Sequence, residues 1–222
     1  MTGIADQLEG MLVADARSAA IEMLSSDGRL EGLEEREQEI PVSERGENPI
    51  EIILLKEWYV KQVGIQERLE QLTHEIRFIP ERNKQLLLDW MENISIDWPI
   101  SRRRWYHTEI PIWYTDDDKV LIVPPKGGYV RPWCEDPPEG SFAIDRETRE
   151  ILGPIEELGY TKFSGEEKVF DTWMDSSNSN LFVSGYGHND VDFSRTYPTA
   201  LRPQGKEIVR TWLYYTLLKS AH

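Results

Sequence analysis

Two stretches constrain this chain more than any others. Val169-Phe170-Asp171-Thr172-Trp173-Met174-Asp175-Ser176-Ser177 is an apolar lead into small polar residues set around one large ring. Leu201-Arg202-Pro203-Gln204-Gly205-Lys206-Glu207-Ile208-Val209-Arg210-Thr211-Trp212 reads as the end of a strand, a Pro/Gly turn and the start of a helix. Strand, turn and helix in that order is how open α/β sheets build small-molecule sites, with ligands at the carboxyl ends of the strands. Each run carries a Trp and a carboxylate, so together they are expected to wall a small pocket. The expected fold class is α/β, with a mixed α+β part upstream.

A pocket needs a core to hold it. The 222 residues are 39% hydrophobic and include eight Trp, nine Tyr and six Phe, the profile of a folded chain. The formal net charge of −15 disfavours nonspecific binding of a polyanion over the whole surface, so any nucleic-acid contact must use a local basic patch. An acidic surface is also what a salt-adapted cytosol selects. The single cysteine, Cys134, excludes an internal disulfide framework and a multi-cysteine zinc site, and fits a reducing compartment. The N-terminus carries no basic-then-apolar signal pattern, and no apolar run approaches the roughly 20 residues that cross a bilayer. A cytoplasmic protein without membrane contact is expected.

Upstream of the two stretches, apolar spacing from Ile4 to Ser26 predicts an amphipathic helix stopped near Gly28. Glu31 to Glu47 is an acidic connector, with a short edge strand at Gln38–Val42. Pro49 to Leu55 reads as a buried strand continued by Lys56–Lys61. Helices are predicted over Gln66–Glu75, with Leu69 and Leu72 inward, and over Arg82–Asn93, with Leu86, Leu87, Trp90 and Met91 on one face. Thr115–Lys168 reads as the most irregular part: a strand at Val120–Val123, a turn at Pro124–Gly128 and a loop at Pro132–Pro138.

Between Asp97 and Tyr114 the character changes. Arg102-Arg103-Arg104 lie among Trp98, Trp105, Tyr106 and Trp113. Guanidinium groups bind phosphate bidentately and rings stack on bases, so this run suits nucleic-acid contact. The same composition also fits arginines balancing nearby carboxylates while the rings pack inside. Asp171 and Asp175 bracket Trp173 and either bind a substrate ammonium or cap local backbone. His74, His107 and His188 share no metal-ligand spacing and read as surface or packing residues.

Asp-Thr-Trp-Met-Asp-Ser-Ser and Leu-Arg-Pro-Gln-Gly-Lys-Glu-Ile-Val-Arg-Thr-Trp together resemble valyl-tRNA synthetases, the archaeal branch in particular. The likeness extends through Asp97–Trp105, Ile110–Tyr114 and Val42-Ser43-Glu44-Arg45-Gly46, covering nearly the whole chain. It implies a fragment of a Rossmann-like class I synthetase catalytic domain with its connective insertion. On that likeness residues 1–48 are the tail of the editing insertion, 49–168 the connective region and 169–222 the start of the second catalytic half. Trp173, Trp212 and Asp171 would then hold valine. Two rings can size a cavity for an isopropyl group, one that rejects isoleucine but separates threonine by only about a hundredfold. Gly205, Glu207 and Gln204 would hold ATP: glycine permits close backbone approach, and a carboxylate at a helix start accepts ribose hydroxyls. Glu207 also fits a plain helix-terminal carboxylate favoured by the dipole. Ser101, Arg102 and Arg104 occupy the element that lies near the tRNA acceptor end.

The implied partners are tRNA(Val), valine and ATP with Mg2+. Where many relatives carry a zinc cysteine after Trp-Tyr, this chain has Thr115, so no structural zinc is expected. Neither a His-Ile-Gly-His-like turn nor a Lys-Met-Ser-Lys-Ser-like loop occurs in these residues, and no editing site is recognised. An isolated chain without them is expected to be inactive, with the rest of a split synthetase as a further partner. Alternatives are a non-catalytic tRNA- or partner-binding module, or a piece of an isoleucyl or leucyl sibling. The apolar residues Leu213, Tyr214, Tyr215, Leu217 and Leu218 are expected to lack cover within the chain, giving self-association or a disordered end.

Overall fold

The computed structural model describes residues 4–44 and 46–222; Arg45 of the Val42–Gly46 run lies outside them. By internal packing the chain divides into two units, Met1–Leu54 and Leu55–His222.

In the first unit the single helix expected over 4–26 is two, α1 (Ile4–Gln7) and α2 (Val13–Ser26). The break falls at Gly10, whose φ of 80° no helix accommodates. The expected stripe holds only within α2: Ala16, Ala19, Ala20, Met23 and Leu24 are half-buried and the rest of α2 is exposed, whereas Met11 and Leu12 just before it are exposed. Its end is a Schellman cap. Gly28, at φ 66°, donates to the Ser25 carbonyl at 3.1 Å, and Arg29 donates to that of Leu24 at 2.9 Å. The expected strands at Gln38–Val42 and Pro49–Leu55 reduce to one bridge between Val42 and Pro49. Ile52 is 92% exposed, so the expected buried strand is corrected: a β-branched run needs a partner strand, and none is offered among the described residues.

The second unit runs β1 (Tyr59–Val60), α3 (Gln66–Glu75), α4 (Asn83–Glu92), β2 (Trp98–Pro99), β3 (Ser101–Arg102), β4 (Trp113–Thr115), β5 (Val120–Val123), β6 (Phe142–Asp145), β7 (Ile151–Pro154), α5 (Ile155–Leu158) and β8 (Phe163–Gly165). It continues with β9 (Val169–Phe170), α6 (Thr172–Ser176), α7 (Ser179–Ser184), α8 (Asp190–Thr196), a 3-10 turn (Lys206–Ile208), a π-helical turn (Val209–Leu213) and α9 (Tyr214–Ala221). The architecture is mixed helix and sheet, and every strand pair is antiparallel.

Its main core is helical. Leu69 of α3, Leu87 and Met91 of α4, and Val209, Tyr214 and Leu218 of the last helical stretch are buried together with Trp98. Thr73, not Leu72, is the second buried residue of α3, because its hydroxyl is satisfied by the Leu69 carbonyl at 2.8 Å. The ring of Trp98 stacks on Tyr215 at 3.7 Å. The expectation of an uncovered C-terminal helix is therefore corrected: α3 and α4 cover it, and Tyr214 and Leu218 have no exposed surface.

A second, smaller core lies under a five-stranded sheet in the order β7-β6-β5-β4-β8, centred on Trp113, Ile122 and Ala143. The region expected to be irregular over Thr115–Lys168 thus supplies four strands of this sheet, β5, β6, β7 and β8, joined by longer irregular segments. At one edge Gly165 lies so close to the Pro132 carbonyl that no side chain fits there. Leu201–Gly205, expected to open with a strand end, has no ladder partner. Phe170 pairs instead with Ser101, and Val169 with Arg102, which places the arginine run beside the start of α6.

Candidate functional site

α6 is short, so its geometry is set by what grips it. Asp171 caps its N-terminus, accepting from the Trp173 N–H at 2.7 Å, and its other oxygen pairs with the Arg102 guanidinium. At the other end two of its carbonyls, which have no backbone partner in so short a helix, accept from side chains of the C-terminal stretch. Trp212 Nε1 donates to the Ser176 carbonyl at 2.8 Å, and Lys219 Nζ to that of Met174 at 2.6 Å. On its outer side Asp175 accepts from Thr108 Oγ1 at 2.7 Å and lies 3.0 Å from His107 Nδ1. The other nitrogen of His107 is 3.2 Å from Thr172 Oγ1.

These contacts bring the elements carrying Trp173 and Trp212 together. Trp173 is half-buried against the helical core. Trp212 sits in the π-helical turn, a local widening that recurs at functional sites and re-aims the side chains it carries. Ahead of it, the carboxylate of Glu207 folds back over Gly205. The space over this glycine is taken by Glu207 itself. Gln204 Oε1 is buried without a hydrogen-bond partner. Burial lowers the Lys219 ammonium to about pKa 8, against an opposing pull from Asp175.

The three residues predicted to meet tRNA separate. Ser101 is buried; its hydroxyl accepts from Trp58 N–H at 2.9 Å and donates to Glu57 at 2.5 Å. Arg102 is engaged by Asp171 and by the carbonyls of Pro99 and Ser101, each at 2.8 Å. Arg103 pairs with Glu57 at 2.5 Å. Arg104 is exposed and makes no ion pair among the described residues, and beside it Trp105 and Tyr106 are 96% and 90% exposed. Neither simple expectation for this run holds throughout: half of it balances carboxylates, and half presents a cation and two rings to solvent.

A separate polar cleft of about 420 Å³ lies on the sheet, lined by Lys56, Tyr114, Asp118, Arg146, Glu166 and Lys168 among others. Its charges answer one another: Lys56 and Arg146 both pair with Asp118, and Lys168 lies 4.0 Å from Glu166. Burial pushes the Glu166 carboxyl up, but hydrogen bonds from Tyr114, the Lys168 N–H and Trp58 outweigh it and hold the group below its ordinary range. Among the described residues no cluster of His, Cys, Asp or Glu is placed to hold a metal ion. Cys134 is an exposed loop thiol.

The family of tRNA synthetases class I (I, L, M and V) matches residues 19–222. The chain belongs to the class I tRNA synthetases. The valine–tRNA ligase of Nanoarchaeum equitans is 42% identical over 219 residues, covering 96% of this chain and 27% of that protein. Those of Pyrobaculum aerophilum and Aeropyrum pernix are 38% and 37% identical over 215 residues, covering 95% and 97% of this chain and 25% of each relative. The chain thus spans about a quarter of the length of the curated relatives it matches. No described helix is long and apolar enough to cross a membrane.

As a class I synthetase segment the chain holds functional candidates that spacing alone missed. Lys219 and Arg202 are cations inside helical or turn segments, where they read as solvated. Neither left a signal in the sequence, since what each touches is set by the packing of the last helical stretch. His107 left no signal, because its partners Thr172 and Asp175 are remote in the chain.

Proposed function

We propose that these residues form one side of the aminoacylation site of a valine–tRNA ligase, which activates valine with ATP and transfers it to tRNA(Val). Trp173 and Trp212 wall the side-chain pocket, and Gly205, Glu207 and Gln204 meet the ribose side of ATP. Asp171 acts on valine indirectly, by capping α6 and holding Arg102. Class I activation is in-line attack on the α-phosphorus, in which the protein positions the reactants and stabilises charge. Magnesium would accompany ATP as part of the substrate. Arg104, with Trp105 and Tyr106, is the part of the basic run free to meet the tRNA end, a guanidinium for phosphate and rings for bases.

The observation that supports this reading most is the hydrogen bond from Trp212 to Ser176, which ties the two tryptophan-bearing elements into one wall. The test is valine-dependent exchange of pyrophosphate into ATP by the longer ligase containing this segment. Trp173→Ala and Trp212→Ala are each expected to raise the KM for valine by about tenfold to a hundredfold, the scale of losing pocket contacts, with the KM for ATP little changed. Unaltered valine KM in both variants would overturn the pocket. The 222 residues alone are expected to show no exchange, and activity on mixing with the remaining parts would support a split ligase. tRNA binding by the chain, with no activity in any combination, would mark a non-catalytic module.

A further inference from the structure

Arg202 is half-buried, yet among the described residues no carboxylate pairs with it. Its guanidinium carbon lies 3.8 Å from the centre of the Trp212 ring, whereas the other cation–ring pairs lie at 5.5–5.8 Å. That separation suits a planar guanidinium laid over the ring, a stack an ammonium cannot make. One nitrogen, Nη2, donates to Thr216 Oγ1 at 2.6 Å. Thr216 is buried one helical turn beyond Trp212, and its hydroxyl returns to the Trp212 carbonyl at 2.7 Å. The indole is therefore fixed at its edge by Ser176 and over one face by Arg202, which is itself tethered to the helix that carries the ring. Arg202 Nε is buried and makes no hydrogen bond. A cation with so few polar partners is costly to bury, and burial lowers its pKa. An apolar residue would fill the same space at lower cost, so packing alone does not account for an arginine here.

We propose that Arg202 is a positioning residue for amino-acid selection: by stacking on Trp212 and anchoring to Thr216 it sets the tilt of that ring and so the size of the side-chain pocket. The inference rests on the pocket reading above. It adds that selectivity depends on a residue that never touches valine, and that the planar stack, not the charge, is what matters.

The test uses Arg202→Met, which keeps volume, and Arg202→Lys, which keeps charge without the flat stack. In pyrophosphate exchange by the longer ligase, Arg202→Met is expected to raise the valine KM roughly fivefold to thirtyfold, the range of a desolvated cation–π contact. The valine kcat should stay within about threefold, and the valine-to-isoleucine preference in kcat/KM should narrow by a similar factor. Arg202→Lys is expected to resemble Arg202→Met. Full rescue by lysine would overturn the stacking argument. If Arg202→Met does not fold, Thr216→Val leaves the arginine but removes its tether and is expected to move the same constants in the same direction. Unchanged valine KM and isoleucine preference in Thr216→Val would then overturn the proposal. In the 222-residue chain, Arg202→Met should shift the Trp212 indole N–H resonance, assigned by its loss in Trp212→Phe; an unmoved resonance overturns the proposal without reference to valine. Unaltered valine KM in Trp212→Ala would instead remove the pocket itself.

Discussion

Lys219 shows what a single side chain contributes at the site. Its ammonium serves as a donor to a helix carbonyl, at the expense of desolvating a charge. The sign of the resulting pH dependence follows from its folded pKa of about 8 against an ordinary 10.5. Between those values the unfolded chain binds the extra proton, so stability rises as pH increases across the window. The slope is at most about 1.4 kcal/mol per pH unit, and less because water still reaches the group. The buried phenols of Tyr114 and Tyr214 are pushed upward and stay neutral over this range. The denaturant midpoint is therefore expected to rise between about pH 7.5 and about pH 9.5, and Lys219→Met is expected to flatten that rise. An equal rise in both proteins would assign it to other groups.

At the scale of elements, a half-enclosed carboxylate is central to the join between the sheet and the segment before α3, beside the Lys56–Asp118 pair. Glu166 accepts from the Tyr114 hydroxyl at 2.5 Å, the Trp58 indole N–H at 2.8 Å and the Lys168 backbone N–H at 3.0 Å. Glu166→Ala strands buried donors and is expected to cost about 2–4 kcal/mol in chemical denaturation, with Glu166→Gln costing less. A loss below about 1 kcal/mol would show that water replaces the carboxylate. The elements legible in the sequence are those whose partners lie on the same face of the same helix. Gln66–Glu75 matches its expected bounds, and Leu87 and Met91 are buried as their spacing required. Strands were harder to read. β6 and β7 are short, and Asp145 at the end of β6 opens the turn between them, its carboxylate accepting from the Glu147 and Thr148 N–H groups. A carboxylate so placed reads as irregular surface until its neighbours are known. Pro49–Leu55 misled in the opposite direction, because β-branched composition says nothing about the availability of a partner strand. In the site, Trp173 and Trp212 could be singled out from their context. Arg202 and Lys219 could not, since what they touch depends on a π-helical turn that no periodicity announces.

For the whole molecule, the division at Leu54 is the feature most open to direct test. Leu30–Ile40 contains no helix or strand, and apart from half-buried Leu30 every residue in it is exposed. Exposed, irregular backbone is where proteases cut. A glutamate-specific protease is expected to cleave among Glu31, Glu34, Glu35, Glu37 and Glu39 and leave the C-terminal unit folded. All eight tryptophans lie in that unit, so its near-ultraviolet circular dichroism should survive cleavage almost unchanged. Loss of that signal would mean that the first unit is needed to hold the second. Within the second unit, the ladder of β3 with β9 has a consequence for how such a chain can vary. The entire five-stranded sheet is inserted between Arg102 and Val169, the two ends of a single rung. An insert whose two ends depart from one point behaves as a cassette: it can be lengthened, shortened or exchanged while the junction stays where it was. Variation in the sheet is in that way insulated from the helix that begins just past the junction.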